Sequence, residues 1–329
     1  MGLHLCSYNI EWFDKLFEKN NSLKADPESK DRLDAIGAVL REIDADMVGV
    51  IEAPNHMSTG QKKTVSCLTA FAQRYNLRTR EAIIGFPSAG KQEVAIIYDP
   101  VKAEITHVPG GGGKKNPPFN RSFEFDTDED RIKEIYKFYR PPLEVEVRET
   151  ATGNIFRLIV VHAKSKGIFG SADLVHWERE NYRNRRKLFA ECSWVRLRVE
   201  EWLDEGNEVV VMGDINDGPG MDHYEFQFGR SAVEIIMGDL YEPQRILKSH
   251  VARPKWGRYG WEPSSTRFKD RLTETQVNVL IDHILVSQGL AVRDGSHIVW
   301  NPFQVAPAKA IKDELLVASD HFPVSLDLV

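Results

Sequence analysis

The chain has 329 residues, of which 42% are hydrophobic, and its formal net charge at pH 7 is −6. This length supports a large hydrophobic core, and because no linker composition divides the chain, we expect a single domain over residues 1–329. The negative charge argues mildly against a protein that coats nucleic acid, although it does not exclude a locally basic cleft.

The cysteines and the apolar runs indicate the cellular setting. Cys6, Cys67 and Cys192 are widely spaced and form no CxxC pair, which predicts reduced thiols and argues against a thiolate zinc site. The start of the chain lacks the basic and apolar regions of a secretion signal, and no run approaches the roughly 20 apolar residues that a membrane span needs. We therefore expect a cytoplasmic protein with no membrane partner.

The first predicted elements are a strand and a helix. Polar and apolar residues alternate from residue 3 into a strand that leads to Asn9. Asp26 followed by Pro27 predicts the start of a helix, because Asp caps free backbone N–H groups and Pro fits the first helical position. The apolar residues of this helix recur at spacings of three and four: Leu33, Ile36, Leu40 and Ile43.

The next predicted strand, at residues 47–51, ends at a carboxylate. Glu52 follows this apolar run directly, and an acidic side chain is expensive to bury unless it has a cation or a hydrogen-bond donor. A second amphipathic helix is predicted at about residues 62–75, and the strand after it, residues 93–98, begins with Glu93.

Residues 157–161 predict another buried strand, which terminates at His162 and is followed by Lys164. The longest helix signal lies between Trp177 and Leu203. Its apolar stripe consists of Leu188, Cys192, Val195, Val199 and Trp202. We interpret its arginines as a solvated face, and the alternative that its first turns approach phosphate stays open. These arginines are Arg179, Arg183, Arg185 and Arg186.

In residues 209–219, a predicted apolar strand is followed directly by polar side chains. Asp214 and Asn216 are two positions apart, so on an extended backbone both would point to the same face. A carboxylate and a carboxamide held side by side can orient a water or a phosphate oxygen near a hard cation. The alternative is an Asx-rich turn after a core strand, because Asp and Asn are common in turns.

Basic and aromatic side chains alternate between residues 253 and 271, and Trp256 and Trp261 are prominent among them. Such a segment is typical of a nucleic-acid groove, and the alternative is a loop whose aromatic rings pack on the fold. The chain then predicts a strand at residues 278–286 that carries Asp282.

Several polar residues lie beside predicted strand ends. Individually, each is more often structural than catalytic; collectively, they indicate that strand ends converge at one edge of a sheet, which is a common place for a site. The set consists of Asn9, Glu52, His162, Asp214, Asn216, Asp320 and His321.

Short motifs in a fixed order cover nearly the whole chain. They are SYNIEWF at 7–13, VGVIEAPN at 48–55, FYRPPL at 138–143, VVHAKS at 160–165, VVVMGDIND at 209–217, LIDHILVS at 280–287 and SDHFPV at 319–324. Each motif is weak alone, but the ordered set is specific. It resembles the endonuclease/exonuclease/phosphatase superfamily, whose members include pancreatic-type deoxyribonuclease and abasic-site repair endonucleases.

This resemblance implies an α/β fold, a four-layer α/β sandwich with two packed mixed β-sheets flanked by helices. It also implies a divalent metal, Mg²⁺ with Mn²⁺ as a substitute. By position, Glu52 resembles the main metal carboxylate, and Asn9 and Asp320 lie beside it. Mg²⁺ prefers oxygen ligands and one or two carboxylates, which suits this set.

The resemblance also implies roles in catalysis and substrate binding. Asp214 and Asn216 match the pair that positions the attacking water and a phosphate oxygen. His321 matches the histidine near the scissile phosphate, with Asp282 as its orienting carboxylate. His162 matches a second phosphate-binding histidine, with Glu93 as its partner. Arg140 matches a position that contacts phosphate in some members, and the expected substrate-binding residues are Arg140 and Lys164, together with Trp256 and Trp261 of the segment that alternates basic and aromatic residues.

Three functional hypotheses follow. The leading one is a metal-dependent phosphodiesterase that hydrolyses nucleic acid, with water activated at Asp214 and a divalent metal at Glu52. The alternative is a phosphatase or phosphodiesterase that acts on a small or lipid-linked phosphate ester with the same core. A non-catalytic binding protein is disfavoured, because every predicted catalytic position carries a suitable side chain. No protein partner is evident from the sequence.

Overall fold

The computed structural model describes residues 2–57, 62–128, 130–168, 173–219, 221–251, 263–269 and 274–329. Within them the strands are β1 (His4–Asn9), β2 (Met47–Ala53), β3 (Glu81–Ile84), β4 (Glu93–Tyr98), β5 (Ala103–His107), β6 (Phe123–Phe125), β7 (Glu134–Tyr136), β8 (Leu143–Glu149), β9 (Ile155–His162), β10 (Val209–Asp214), β11 (Lys248–Ser249), β12 (Thr266–Lys269), β13 (Gln276–Val279), β14 (Asp282–Val286), β15 (Ile298–Val299) and β16 (Val324–Asp327). The α-helices are α1 (Pro27–Ile43), α2 (Thr64–Arg74), α3 (Leu174–Asp204), α4 (Ala232–Met237), α5 (Ala306–Lys309) and α6 (Lys312–Ala318).

Two six-stranded mixed sheets form the centre of the fold. The first sheet has the strand order β15-β16-β1-β2-β4-β3, and the second has the order β11-β14-β10-β9-β8-β5. Each sheet contains one parallel pair, β1 with β2 and β9 with β10, and its other pairs are antiparallel. One apolar cluster fills the space between the sheets. A second cluster lies between the first sheet and its helices, and a third lies between the second sheet and its helices. The predicted four-layer α/β sandwich is confirmed.

Alternation along the strands explains this layering. In β1, Leu5 faces the core between the sheets, whereas Cys6 and Tyr8 face the helices. Successive strand side chains point to opposite faces, so each central strand contributes to two cores. At Gly49 the sheets approach so closely that a β-carbon would lie 2.7 Å from the Met212 side chain. A larger residue at this crossing would therefore displace the end of the Met212 side chain.

The predicted helices are present with small changes in their ends. The side chain of Asp26 accepts from the backbone N–H of Ser29 and caps α1, and the helix ends at Asp44 in the left-handed conformation. The four apolar residues that predicted α1 are all buried. Among the described residues, no helix combines the length and the apolar character that a membrane crossing requires.

The arginines of α3 do not all face solvent, which corrects the prediction of a solvated face. Arg185 is buried, and its Nε donates to Asp222 over 3.1 Å while its guanidinium also donates to Asn181. A buried guanidinium is stable here because its donors have acceptors. Arg179 and Arg183 are exposed as expected, and the apolar stripe packs against the second sheet.

A fully buried ion pair joins α3 to the second sheet. The guanidinium of Arg198 contacts the carboxylate of Glu144 on β8, and neither side chain is exposed. Arg198 also donates to Glu201 over 2.8 Å and to the carbonyl of Pro117 over 3.2 Å. The pair therefore holds together the helix, the sheet and the glycine-rich segment before Pro117.

Candidate active site

Three predicted site residues lie side by side at the ends of adjacent strands. His162 of β9 pairs in register with Asp214 of β10, and Asp214 pairs in register with Asp282 of β14. Gly213 precedes Asp214 with a φ of 141°, and a β-carbon there would lie 1.9 Å from the carbonyl oxygen of Val161. Only glycine fits at this position, so it allows β10 to carry Asp214 to the edge.

The first sheet contributes Asn9 and Glu52 to the same edge. Asn9 is the last residue of β1, and its Nδ2 donates to Asp214 Oδ2 across the two sheets over 3.0 Å. Glu52 has a φ of 60° and lies where the pairing of β2 with β4 shifts register. The backbone N–H of Trp12 donates to Glu52 Oε2 over 2.8 Å. The irregular backbone and this bond fix the orientation of the carboxylate.

Ser319 attaches the segment before β16 to this edge. Its hydroxyl donates to the carbonyl of Asn9 over 2.8 Å and accepts from the backbone N–H groups of Glu11 and His321, each over 3.2 Å. Asp320 and His321 are held beside β1 as a result. Sequence reasoning did not select Ser319, although it begins the SDHFPV motif.

His321 and Asp282 form a close pair. His321 Nδ1 lies 2.8 Å from Asp282 Oδ2, which also accepts from the Ser265 hydroxyl over 2.7 Å. Burial alone would lower the pKa of His321, but the charge and the hydrogen bond of Asp282, with further help from Asp214, raise it to about 10. His321 is therefore an imidazolium at neutral pH, with Nε2 at 4.0 Å from Asp214 Oδ2. Ser265 is a second residue that sequence reasoning missed.

Asp214 occupies the centre of the cluster. Burial and the nearby charge of Asp282 raise the pKa of Asp214 to about 7, while His321 and the donors on Asn216 and Asn9 oppose the shift. A carboxyl with a pKa near neutrality accepts and releases protons readily at physiological pH. This position suits a proton acceptor.

Asn216 contacts Asp214 through its backbone N–H, whereas the sequence predicted that the two side chains would lie side by side. It lies beyond the end of β10 with a φ of 57°, so the two side chains do not share a strand face as expected. The backbone N–H of Asn216 instead donates to Asp214 Oδ1 over 2.8 Å, and its side-chain Nδ2 donates to the carbonyl of Ala163 over 3.1 Å. The left-handed turn brings Asn216 back toward Asp214.

His162 is buried beside Asp214 but lacks its predicted partner. Its Nε2 lies 3.6 Å from Asp214 Oδ2, whereas its buried Nδ1 has no hydrogen-bond partner among the described residues. The carboxylate of Glu93 instead accepts from His56 and Ser88, so the expected pairing of His162 with Glu93 is not formed. Burial, together with the charges of Arg140 and His321, lowers the pKa of His162 well below its usual value. His162 is therefore neutral.

Arg140 and Lys164 lie near a carboxylate that sequence reasoning missed. Glu191 of α3 is buried, and its Oε2 accepts from the backbone N–H of Lys164 over 2.7 Å. Burial raises the pKa of Glu191 to about 7, against the charges of Lys187 and Arg140. The sequence did contain a signal for Glu191, because this carboxylate lies next to Cys192 in the predicted apolar stripe of α3. Glu191 fixes the turn that follows His162.

The donor set at Glu52 fits a divalent cation. Asn9 pairs in register with Ile51, the residue before Glu52, and its Oδ1 is buried without a hydrogen-bond partner in the described part of the chain, so this oxygen is available as a ligand. Asp320 supplies a second carboxylate in the segment that Ser319 holds against β1. Two carboxylates and an amide oxygen suit Mg²⁺ or Mn²⁺ better than a soft metal. A further group of possible ligand atoms, all within 4.8 Å of one another, comes from Asp214, Asp282 and His321.

The structure thus brings together most of the predicted site residues. Asn9, Asp214 and His321 are in direct contact or within 4.0 Å. Arg140 is near enough to Glu52 and Asp214 to interact electrostatically with both. Trp256 and Trp261 lie outside the described residues.

The two mixed sheets and their flanking helices form the α/β sandwich of the endonuclease/exonuclease/phosphatase fold. A family model described as the Endonuclease/Exonuclease/phosphatase family matches residues 6–321, and the chain belongs to this family. Members of the family are hydrolases that act on phosphate esters, and they are generally dependent on a divalent metal. The search of curated proteins found no match.

Solved structures share the fold at low sequence identity. TDP2 from C. elegans is 13% identical with a TM-score of 0.53, and the match covers 99% of this chain and 74% of that one. D. rerio TDP2, complexed with single strand DNA product, is 12% identical with a TM-score of 0.50 and coverages of 99% and 98%. A mannosyl-6-phosphatase from Bacteroides thetaiotaomicron is 16% identical with a TM-score of 0.50, and 99% of each chain is covered.

Proposed function

We propose that this chain is a metal-dependent phosphodiesterase that hydrolyses nucleic acid, with residues 1–329 acting as one catalytic domain. The observation that carries the proposal is the position of Asp214, which lies 4.0 Å from the cationic His321 and 3.6 Å from the neutral His162. These distances support a proton acceptor at Asp214, a proton donor at His321 and a neutral hydrogen-bonding group at His162 around one point at the edge of the sheets. Each of these three functions lowers the barrier to hydrolysis of a phosphodiester.

In the proposed reaction, Asp214 takes a proton from water as the water oxygen forms a bond to phosphorus. The bond from phosphorus to the leaving oxygen then breaks, and His321 donates its Nε2 proton to that oxygen. Asp282 keeps His321 cationic and fixes its ring. A divalent cation held by Glu52, Asn9 and Asp320 would neutralise charge on the phosphoryl oxygens.

Three further groups are available to bind the substrate phosphate. Arg140 Nε is buried and has no hydrogen-bond partner among the described residues, and the same is true of His162 Nδ1. Buried polar atoms normally have partners, so an unpaired Arg140 N–H and an unpaired His162 ring nitrogen at a site indicate a missing ligand. We assign Arg140, His162 and Asn216 to the phosphoryl oxygens. Lys164, Trp256 and Trp261 stay predicted contacts to the rest of the substrate.

The nucleic-acid substrate is supported by two considerations. The sequence alternates basic and aromatic residues between positions 253 and 271, which is typical of surfaces that bind unpaired nucleotides. The fold is shared with a TDP2 that was solved with single strand DNA product. The alternative is a small phosphate ester, since the same fold occurs in a mannosyl-6-phosphatase.

The test is a substrate panel with a catalytic control. Single- and double-stranded DNA, RNA, a chromogenic phosphodiester and a sugar monophosphate are each incubated with Mg²⁺, Mn²⁺ or EDTA. Asp214→Asn serves as a matched preparation, so that a contaminating host nuclease is detected. We expect metal-dependent cleavage of a polymer by the native chain alone. Hydrolysis restricted to the sugar monophosphate would establish the alternative, and binding without turnover would contradict both.

A further inference from the structure

A cavity of about 380 Å³ lies next to the candidate active site. Asp320 and Ser319 form part of its wall, and so do two cationic residues, Arg32 and Arg267. Arg32 is held by backbone carbonyls, with its Nε donating to Ala318 over 2.9 Å. The cavity therefore continues the site on the side of Asp320.

Arg267 is fixed to the catalytic segment through its backbone. Its N–H donates to the carbonyl of Asp320 over 3.1 Å, and the preceding residue, Thr266, forms a β-bridge with His321. β12 pairs with β13 as a hairpin, so Arg267 does not lie on an isolated loop. Its position relative to His321 is set by main-chain hydrogen bonds.

The Arg267 side chain shares one aromatic ring with a second cation. Its guanidinium carbon lies 4.5 Å from the ring centroid of Phe303, and Lys312 Nζ lies 5.0 Å from the same centroid. Phe303 is 46% exposed. Within the described ranges, neither Arg267 nor Lys312 forms an ion pair with a carboxylate. Two unneutralised cations are thus held at one exposed ring.

An aromatic ring positions a cation without cancelling its charge. A carboxylate would satisfy Arg267 and Lys312 and remove them as anion ligands, whereas the face of Phe303 attracts both and leaves their N–H donors free. Because both cations lie within 5.0 Å of the centroid of one ring, they concentrate positive charge around Phe303, which favours binding of an anion there. Arg and Lys are also the usual ligands of nucleic-acid phosphates.

We propose that Arg267, Lys312 and Phe303 form a subsite for the phosphodiester next to the one that is cleaved. This inference rests on the proposed nuclease function and specifies how the chain would recognise a polymer. Glu11 and Asp320 make the cavity itself mixed in charge, so the anion is assigned to the pair of cations on Phe303. A substrate with one phosphate would not reach this subsite.

The experiment compares two substrates across a set of variants. A short single-stranded oligonucleotide has neighbouring phosphates, whereas bis(p-nitrophenyl) phosphate has a single phosphate. The variants are Arg267→Gln, Lys312→Gln and Phe303→Leu. Lys102→Gln is the control for loss of a positive charge elsewhere, because Lys102 lies between β4 and β5, after the end of β4 that is opposite Glu93. Rates on the small diester report whether each variant is folded.

We expect each of the three variants to raise KM for the oligonucleotide by about tenfold, as for loss of a charged contact, with kcat unchanged. Rates on the small diester and all rates of Lys102→Gln stay native. In Arg267→Gln and Lys312→Gln, the slope of log KM against log salt falls by about 0.7 for each phosphate contact that is lost. Phe303→Leu keeps both charges, so its effect isolates the positioning by the ring.

Two results would overturn the subsite. An unchanged KM for the oligonucleotide in Arg267→Gln and Lys312→Gln would show that no phosphate binds there. Equal losses on both substrates would show that the ring and its cations are structural. Failure of the proposed nuclease function gives a different result, because the native chain would then hydrolyse no oligonucleotide. That result would overturn the subsite as well.

Discussion

Asn9 and Asp214 connect the two sheets at the edge where the site lies. Asn9 ends β1 of the first sheet, Asp214 ends β10 of the second, and the hydrogen bond from Asn9 Nδ2 to Asp214 Oδ2 is 3.0 Å long. Asn9 also leaves its own Oδ1 free for a cation. One amide therefore connects the predicted proton acceptor to the predicted metal ligands, and a relative movement of the sheets would change both.

Replacement of the reacting groups should abolish turnover without unfolding the chain. We expect Asp214→Asn or His321→Ala to reduce the phosphodiesterase rate by about a thousandfold, because each removes a chemical group that takes part in the reaction. Steady-state rates and thermal unfolding measure the two effects. Asp204→Asn, at the exposed end of α3, is the matched control. Near-native activity in either site variant would contradict the assigned roles.

The pH profile should be bell-shaped. The acid limb reflects Asp214, which must lose its proton to accept one from water, with a pKa of about 7. The alkaline limb reflects His321, which must keep its proton, with a pKa of about 10. Asp282 raises the pKa of His321, so Asp282→Asn should move the alkaline limb to lower pH. A profile of kcat/KM against pH measures this, and an unmoved limb in the variant would assign it to another group.

Removal of metal should stop the reaction reversibly. We expect EDTA to abolish activity and added Mg²⁺ or Mn²⁺ to restore it, because oxygen ligands bind these hard cations. Glu52→Gln should raise the Mg²⁺ concentration needed for half-maximal rate, whereas Glu42→Gln, at an exposed position of α1, should not. A metal titration at fixed substrate measures the difference. Full activity in EDTA would exclude the proposed role of Glu52.

Glu191 should act as a positioning residue. Its carboxylate accepts from the backbone N–H of Lys164, so Glu191→Leu leaves that donor unpaired and releases the turn after His162. We expect kcat to fall by about tenfold or more in Glu191→Leu, by analogy with the loss of one buried hydrogen bond. Glu191→Gln keeps an oxygen that can accept this hydrogen bond, so this variant should retain most of the native rate. If both variants lose activity equally, the charge matters and the hydrogen bond does not.

The ion pair between Arg198 and Glu144 gives a prediction on stability alone. Arg198→Met should lower the free energy of unfolding by about 3 kcal/mol or more, because it leaves a buried carboxylate unpaired. Arg179→Met, at an exposed position of the same helix, should change it by less than about 0.5 kcal/mol. Urea unfolding followed by tryptophan fluorescence measures both. A small effect in Arg198→Met would mean that Glu144 is neutral or solvated.

The sequence predicted the parts of the fold that depend on local pattern. The buried strands, the cap at Asp26 and the stripe of α3 follow from hydrophobic spacing and from the chemistry of single residues. The positions of Asn9, His162 and Asp214 at strand ends follow for the same reason. These features involve residues within a few positions of one another.

Features that depend on distant residues or on loop conformation were predicted less well. Glu93 binds the loop at Ser88 rather than His162, because the loop before β4 folds back over its carboxylate. Arg185 is buried because Asp222, 37 positions away, accepts from it. Asn216 adopts a left-handed conformation that spacing alone does not reveal. In each case the deciding partner or torsion angle has no local signature.

The distance along the chain between the site residues has a consequence for biosynthesis. Asn9 Nδ2 and His321 Nε2 lie 3.5 Å apart although 312 positions separate them. Closing a loop of this length costs more chain entropy than forming a local contact, so such contacts slow folding. A nascent chain on the ribosome carries Glu52 and Asp214 well before Asp320 and His321 are added. The proposed metal carboxylates and the pair of Asp214 with His321 are therefore both incomplete until residues 320 and 321 join the fold.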